Sequence, residues 1–541
     1  MTTRRVGVIG GGAGGLFAAR LLALRHPTWQ IKVFERLESS GTFGFGIGLT
    51  GAALAAIEAV DPETREAIDR RAFRFSTGEF RLPSRTVEIP GFHRGVSIAR
   101  SALLAELKVQ AERAGVEVHV GRFVDLDEAR RDADLVVAAD GVSSSSRQRY
   151  AEDFGPEIIE GRGQYLWCGT EATLEGTVFM PVETSAGTFT AHAYPYAADR
   201  STMVIETDLA TLERAGLDGF EARSADPGQS DERSLDFLTE AFQPLLRGHK
   251  LLGNRSQWFQ FRTLRCRSWV HDNVVLLGDA SATADPSLGS GTKLAMESAI
   301  ALADALDADG HMPLQACLER HESARRPAVE RLQGWARRSQ LWWDSFPRRM
   351  HRLDPARVVM AYLTRAGAVT LDEAMEASAH IVRGAAAGWA GVDVAEVPHD
   401  GISEWVVRQP LHAGGMHLPT RLLDPSEAGS DMLAHIAGPL PVTFGDPWGP
   451  EADALVDSAR ELARGNDTRV VLLTGADDQQ SVLDRVQVAE RIRLELDTPV
   501  AVTAAPSDVQ DVASALIAGR IDLACLRRPQ AAAPAIPLND A

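Results

Sequence analysis

Hydrophobic positions along this chain follow two rhythms. From Arg5 onward short apolar runs alternate with longer Ala- and Leu-rich stretches. The runs are Val6-Gly7-Val8-Ile9, then Gln30-Ile31-Lys32-Val33-Phe34, and later Ala133-Asp134-Leu135-Val136-Val137-Ala138-Ala139. Runs of this kind, separated by helical spacing, predict parallel strands joined by crossover helices. Between about 165 and 275 the period drops to two, as in Thr188-Phe189-Thr190-Ala191-His192-Ala193-Tyr194 and Ser201-Thr202-Met203-Val204-Ile205-Glu206, which predicts half-buried strands. Helical spacing returns at Lys293 and persists to about 388, where the patch Arg383-Gly384-Ala385-Ala386-Ala387-Gly388 reads as low complexity. Strand and helix then alternate again, with Arg469-Val470-Val471-Leu472-Leu473 and Pro499-Val500-Ala501-Val502 as strands.

These shifts predict five regions: one α/β domain from residues 1–165 and 270–385, a β-rich insertion at 166–269, a linker at 386–404, a second α/β domain at 405–530, and a disordered Ala- and Pro-rich tail at 531–541. Net charge sharpens the picture. At -18 the chain disfavours non-specific binding to nucleic acid. It has no run of 18 apolar residues to span a membrane, and it enters a strand with no signal peptide before it. Cys168, Cys266, Cys317 and Cys525 are far apart and form no CxxC, so free thiols in a reducing cytoplasm are expected and no metal site.

Candidate chemistry sits where the apolar runs end. The first run leads into Gly10-x-Gly12-x-x-Gly15. There Gly10 permits a tight turn, Gly12 lets the backbone approach a pyrophosphate, and Gly15 lets helix and strand pack closely. Glu35 closes the next strand 20 residues after Gly15, where a carboxylate accepts ribose hydroxyls. A third strand ends in Asp140-Gly141, a pair that an ordinary turn also uses. A fourth, Val274-Val275-Leu276-Leu277, ends in Gly278-Asp279 and runs on to Gly289-Ser290-Gly291 at a helix start.

In this order and spacing the elements resemble the class A flavoprotein aromatic monooxygenases, the para-hydroxybenzoate hydroxylase-like group, over about residues 4–380. The resemblance implies a Rossmann-like FAD-binding domain with an inserted mixed β-sheet substrate domain and long helices. It implies FAD as cofactor, NAD(P)H as reductant, and insertion of one atom of O2 into an electron-rich ring through a flavin C4a-hydroperoxide. It places Gly10, Gly12, Gly15, Glu35 and Arg36 at the ADP part, Gly46 and Gly48 of the Gly44–Gly48 loop beside the isoalloxazine, and Arg100 near the flavin. Asp140 and Gly141 would be shared between FAD and NAD(P)H, Asp279 would hold the ribityl chain, and Gly289, Gly291 and Thr292 the pyrimidine end. Three departures stand out: Ala282 where the family has His, Asp285-Pro286 where it has Pro-Pro, and Ser298 where Asp is common.

Trp167-Cys168-Gly169-Thr170, Gly187 to Pro195 and above all Ser287-Leu288-Gly289-Ser290-Gly291-Thr292-Lys293 resemble the salicylyl-CoA and anthraniloyl-CoA branch. Members of that branch often carry an Old Yellow Enzyme-like barrel. Gln409 to Arg421 resembles its opening and Val500 to Ala524 its closing units. A complete barrel needs at least about 200 residues, so 405–530 reads as an α/β remnant of a (β/α)8 barrel without FMN; an unrelated α/β accessory domain is the competing reading.

On the substrate side the expected catalytic residues are His192, Tyr194 and Lys293, and the expected substrate contacts are Trp167, Phe189 and Pro286. Each has a plainer alternative: a satisfied core histidine, aromatic packing, or an i,i+4 pair of Lys293 with Glu297. The arginine pairs 325–326, 337–338 and 348–349 fit solvated helix faces better than CoA phosphate ligands. Partners are a small aromatic molecule and O2, with no nucleic acid and no membrane; a homodimer is compatible. The shortened C-terminal region puts an indole-bearing natural product slightly ahead of an aryl-CoA as substrate. A non-catalytic flavoprotein scaffold is the reading from another class.

Overall fold

The computed structural model describes residues 4–38, 44–90, 95–220, 228–307, 312–413, 416–423, 436–464, 470–496 and 498–526. It divides into two compact units, residues 1–344 and 345–541. In the first unit a six-stranded sheet runs in the order Val270–His271, Val274–Leu276, Leu135–Ala138, Arg5–Ile9, Gln30–Glu35, Glu117–Val120. All neighbours are parallel except the first pair. Four of its strands are the predicted apolar runs, largely buried because helices cover the sheet; Glu117–Val120 and Val270–His271, at its two edges, were not among them and are only partly buried. Helices Ala13–Arg25 and Gly291–Asp307 pack on one another across its core, with Phe17, Leu21, Leu302 and Ala303 inaccessible.

An eight-stranded mixed sheet carries the second layer. Its order is Leu251–Leu252, Gln164–Thr170, Arg200–Thr207, Thr188–Ala197, Thr177–Glu183, Thr77–Arg81, Thr86–Pro90, with Trp258–Phe259 also on Gln164–Thr170. The insertion is therefore not self-contained: Phe80 and Ile89, buried on two strands before residue 166, complete its sheet. Alternate residues give the sheet two faces. Leu166, Cys168, Phe189, Ala191, Ala193, Met203 and Ile205 form an apolar core with Leu235, Leu238 and Phe242 of the neighbouring helices. The opposite face bears Tyr165, Trp167, His192, Tyr194, Val204 and Glu206.

The second unit holds a parallel five-stranded sheet in the order Leu422–Leu423, Leu523–Leu526, Val500–Ala504, Val470–Thr474, Ile436–Pro441. Two expectations change here. Helices Pro355–Thr364 and Leu371–Ala390 belong to this unit, not to the first. The stretch 386–404, expected as a linker, is folded: it finishes the second of these helices and enters helix Ile402–Val407, with Val397, Ile402 and Val406 buried. Alanine is the best helix former, and the patch read as low complexity puts Ala385, Ala386 and Ala387 into the core. Helix Leu371–Ala390 starts on a capping box of Thr370 and Glu373. The tail 531–541 lies outside the described residues. All four cysteines are free and buried. Among the described residues no helix is long and apolar enough to cross a membrane, and no group of three or more His, Cys, Asp or Glu is placed to hold a metal ion.

Candidate active site

Backbone geometry explains the first glycines. Gly10 has φ +108°, and a Cβ there would lie 2.3 Å from the Ala139 carbonyl oxygen. A Cβ on Gly15 would lie 2.1 Å from the Gly10 oxygen, so strand, turn and helix meet only if both are glycine. Gly12 differs: its Cβ would meet nothing within 4 Å, and it starts helix Ala13–Arg25 with no side-chain cap. Uncapped N–H groups at an open helix start suit a phosphate. Gly48, Gly141, Gly289 and Gly291 likewise open onto free space, and an extended dinucleotide fits a chain with this series of bare backbone positions. The Glu35 carboxylate accepts N–H bonds from Gly11 and Leu37, both at 2.8 Å, with Arg36 exposed beside it.

Asp140 is tied to its own loop, accepting from the Ser144 hydroxyl at 2.5 Å and the Ser146 N–H at 3.0 Å. Arg147, buried with no carboxylate bonded to it, donates to the carbonyls of Val142 at 2.6 Å and Ala280 at 2.9 Å. It joins the Asp140 loop to the Gly278–Ala280 turn. Asp279 is accessible yet surrounded by protein, which raises its carboxyl pKa while Arg100 opposes the rise. Thr292 and Gly291 begin helix Gly291–Asp307, and Ser290 before them keeps a buried hydroxyl without a hydrogen bond. Gly46 is fixed twice: the Thr202 hydroxyl accepts its N–H at 2.8 Å and the Tyr194 phenol donates to its carbonyl at 2.8 Å.

The expected substrate side divides. His192 lies on the polar face of the sheet, its Nε2 3.3 Å from Glu206 and its ring 4.3 Å from that of Trp343. Trp343, Phe179 and Phe80 continue as a row of stacked rings. Trp167 is on this face too, packed against the core of the six-stranded sheet. Pro286 opens a short 3-10 turn, Pro286–Leu288. Phe189 is a correction: it points to the other face, wholly buried against Phe237 and Trp258, because it is an odd number of residues from His192. Lys293 pairs with Glu297 at 3.7 Å, the plainer alternative, and Tyr194 spends its hydroxyl on the Gly46 loop. Arg325 pairs with Glu297, Arg326 with Glu322, and Arg349 with Glu490. Tyr165, Glu206 and Asp285 were absent from the expected set. Glu206, one carboxylate on the polar face of a nearly buried strand, was the readable signal for them.

A nucleotide-binding sheet with these open glycines, bearing a second sheet with an aromatic and ionisable face, defines a flavin-dependent oxidoreductase. Residues 93–336 match the FAD binding domain family. The chain is 36% identical to a salicyloyl-CoA 5-hydroxylase of Streptomyces sp, over 96% of this chain and 99% of that one. It is 35% identical to the 3-hydroxy-4-methyl-anthranilyl-[aryl-carrier protein] 5-monooxygenase of Streptosporangium sibiricum, over 63% of this chain and 90% of that one. The tetrameric form of 2-methyl-3-hydroxypyridine-5-carboxylic acid oxygenase shares the fold, with TM-score 0.51 at 21% identity over 66% of this chain and 98% of that one. The chain belongs to the FAD-dependent aromatic monooxygenases and is an enzyme of that kind.

Proposed function

We propose that the substrate is a benzoyl thioester bearing a hydroxyl or amino group beside the carbonyl, and that NAD(P)H is the reductant. One observation carries this reading: the similarity to the salicyloyl-CoA 5-hydroxylase runs through both units, to 99% of that protein's length. The shortened C-terminal region therefore does not distinguish an indole substrate from an aryl-CoA, and the argument for indole loses its footing. The second relative is named for an aryl group on a carrier protein. In both names position 5 is para to the position-2 heteroatom, the carbon that this heteroatom enriches in electrons.

In this reading Gly10, Gly12, Gly15, Glu35 and Arg36 hold the ADP part of FAD. Asp279 holds the ribityl hydroxyls, with Arg100 beside it. Gly289, Gly291 and Thr292 receive the pyrimidine end, and Gly46 and Gly48 line the ring. Arg147 keeps the Asp140-Gly141 loop against the Gly278–Ala280 turn, and Tyr194 positions Gly46. Bound FAD supplies the transfer of one oxygen atom from O2 after reduction. The polar sheet face holds the substrate ring, with Trp343 and Trp167 as aromatic contacts and His192 as the ionisable one. The strand order of the second unit, with Leu422–Leu423 beside Leu523–Leu526, supports a barrel remnant, because first and last strands are neighbours in a closed barrel. There the buried Arg485 guanidinium donates to the carbonyls of Thr503 and Ala476 at 2.7 and 2.8 Å, at the strand ends where such folds bind ligands.

Incubation under labelled O2 with salicyloyl-CoA, anthraniloyl-CoA and indole tests the substrate class. One labelled oxygen in a thioester is the expected outcome; label in the indole product with both thioesters inert would defeat the reading. Asp279→Ala is expected to weaken FAD binding roughly ten- to a hundredfold, since a charge-assisted hydrogen bond contributes about 1.5–3 kcal/mol. Flavin fluorescence titration reads it, and unchanged affinity removes Asp279 from the site.

A further inference from the structure

Four ionisable side chains converge beside the polar sheet face. Tyr165 and Glu206 are directly opposed in the ladder of Gln164–Thr170 with Arg200–Thr207. Glu206 is also opposed to Thr190, two residues from His192 on the same face. His192 turns Nε2 towards Glu206 at 3.3 Å, out of contact with solvent, while its side chain as a whole keeps 16% exposure. Asp285 comes from the loop after Asp279. Its Oδ1 accepts the Ser287 N–H at 2.9 Å, and its Oδ2 is buried with no hydrogen bond. It is 1% exposed, and Glu206 is 7% exposed.

These groups act on one another. Burial raises the Asp285 carboxyl to about 6, with Glu206 adding to the rise and His192 opposing it. Burial raises the Tyr165 phenol well above its usual range, and Glu206, Asp285 and Asp344 add to that. Asp285 stands where the family resemblance expects proline, which has no group to titrate. A buried carboxyl oxygen with no hydrogen bond is an acceptor kept for a proton or a ligand.

We propose that His192, held by Glu206 and biased by Asp285, takes the proton of the substrate's ring hydroxyl. This rests on the thioester reading above and narrows it to phenols. The O–H bond breaks, its electron pair stays on the ring oxygen, and an N–H bond forms on His192. The resulting imidazolium faces the Glu206 carboxylate, and the phenolate enriches the carbon para to it. Above pH 6 the Asp285 charge favours the imidazolium further. Glu206 and Asp285 are positioning residues that act through His192.

The readout is the absorbance of bound salicyloyl-CoA on the oxidised holoenzyme, titrated from pH 5.5 to 9. The phenolate is expected to form on the wild type at least one pH unit below the free probe, with a second step near 6. In Asp285→Asn the step near 6 should vanish and the phenolate fraction at pH 7 should fall roughly tenfold, equivalent to one pKa unit. In Glu206→Gln and His192→Gln the midpoint should return to that of the free probe. FAD content verifies that each variant is folded, and the wild-type titration stands without any variant. A wild-type midpoint equal to that of the free probe, or the same midpoint in wild type and variants, overturns the inference alone if the probe is still hydroxylated. A wild type that does not bind the probe overturns this inference and the thioester reading together.

Discussion

Gly12→Val is expected to yield a folded, colourless protein. The Cβ at this position meets nothing within 4 Å, and the backbone, with φ -74° and ψ 177°, is extended, which a β-branched residue adopts without strain. The helix behind it keeps its core residues Leu16, Phe17 and Leu21. What changes is the space outside: two methyl groups would stand at the uncapped N–H groups where the proposed site receives the pyrophosphate. Gly15→Val is the contrast. Its first carbon would lie 2.1 Å from the Gly10 carbonyl oxygen, which cannot recede because Gly10 is itself wedged against Ala139. That variant should lose stability as well as cofactor. Thermal unfolding with and without FAD separates the two: Gly12→Val should melt like apo wild type, and Gly15→Val well below it. A yellow Gly12→Val protein with one FAD per chain would move the pyrophosphate away from this turn.

That contrast also explains what the sequence could reveal. A backbone that must turn tightly or pass close to another chain segment admits only glycine, so the first turn is written as glycine spacing, and Gly10 and Gly15 are readable without coordinates. The substrate half depends on which side of a strand faces which neighbour. Alternation separates Trp167 and His192 from Phe189, yet both sides of the sheet are covered, so aromatic character alone did not say which side was the core. Glu206 lies on the strand after that of His192, and only the folded sheet brings its carboxylate to the imidazole. The unit boundary failed for a related reason. The helices after Asp344 are amphipathic, and periodicity tells that a helix has a buried face but not which core receives it.

The second large effect is expected in the C-terminal unit. Glu490, on helix Gln479–Leu496, pairs with Arg349 and lies 3.8 Å from Arg520; all three side chains are at most 8% exposed. Burial draws the Arg349 guanidinium well below its usual range, with Arg520 adding to this, and lowers Arg520 to about 10. Arg520 also donates to the Ala361 carbonyl at 2.9 Å and Arg349 to the Ser345 hydroxyl at 2.6 Å, so these arginines are bound into the unit and cannot swing out to water without breaking it. Glu490→Ala takes a carboxylate away from two buried arginines and should cost about 3–5 kcal/mol. Replacing all three together, as Arg349→Met, Glu490→Leu and Arg520→Leu, removes the desolvation penalty along with the attraction. Triads treated this way come out neutral or more stable by about 1–4 kcal/mol. Hydrogen exchange of peptides from 345–526 measures both, while FAD content reports on residues 1–344. The single variant should speed exchange in the C-terminal unit at unchanged FAD content, and the triple variant should restore protection. A single variant that costs under about 1 kcal/mol, the value of an exposed pair, would mean that water reaches these charges and that the triad is not a closed core.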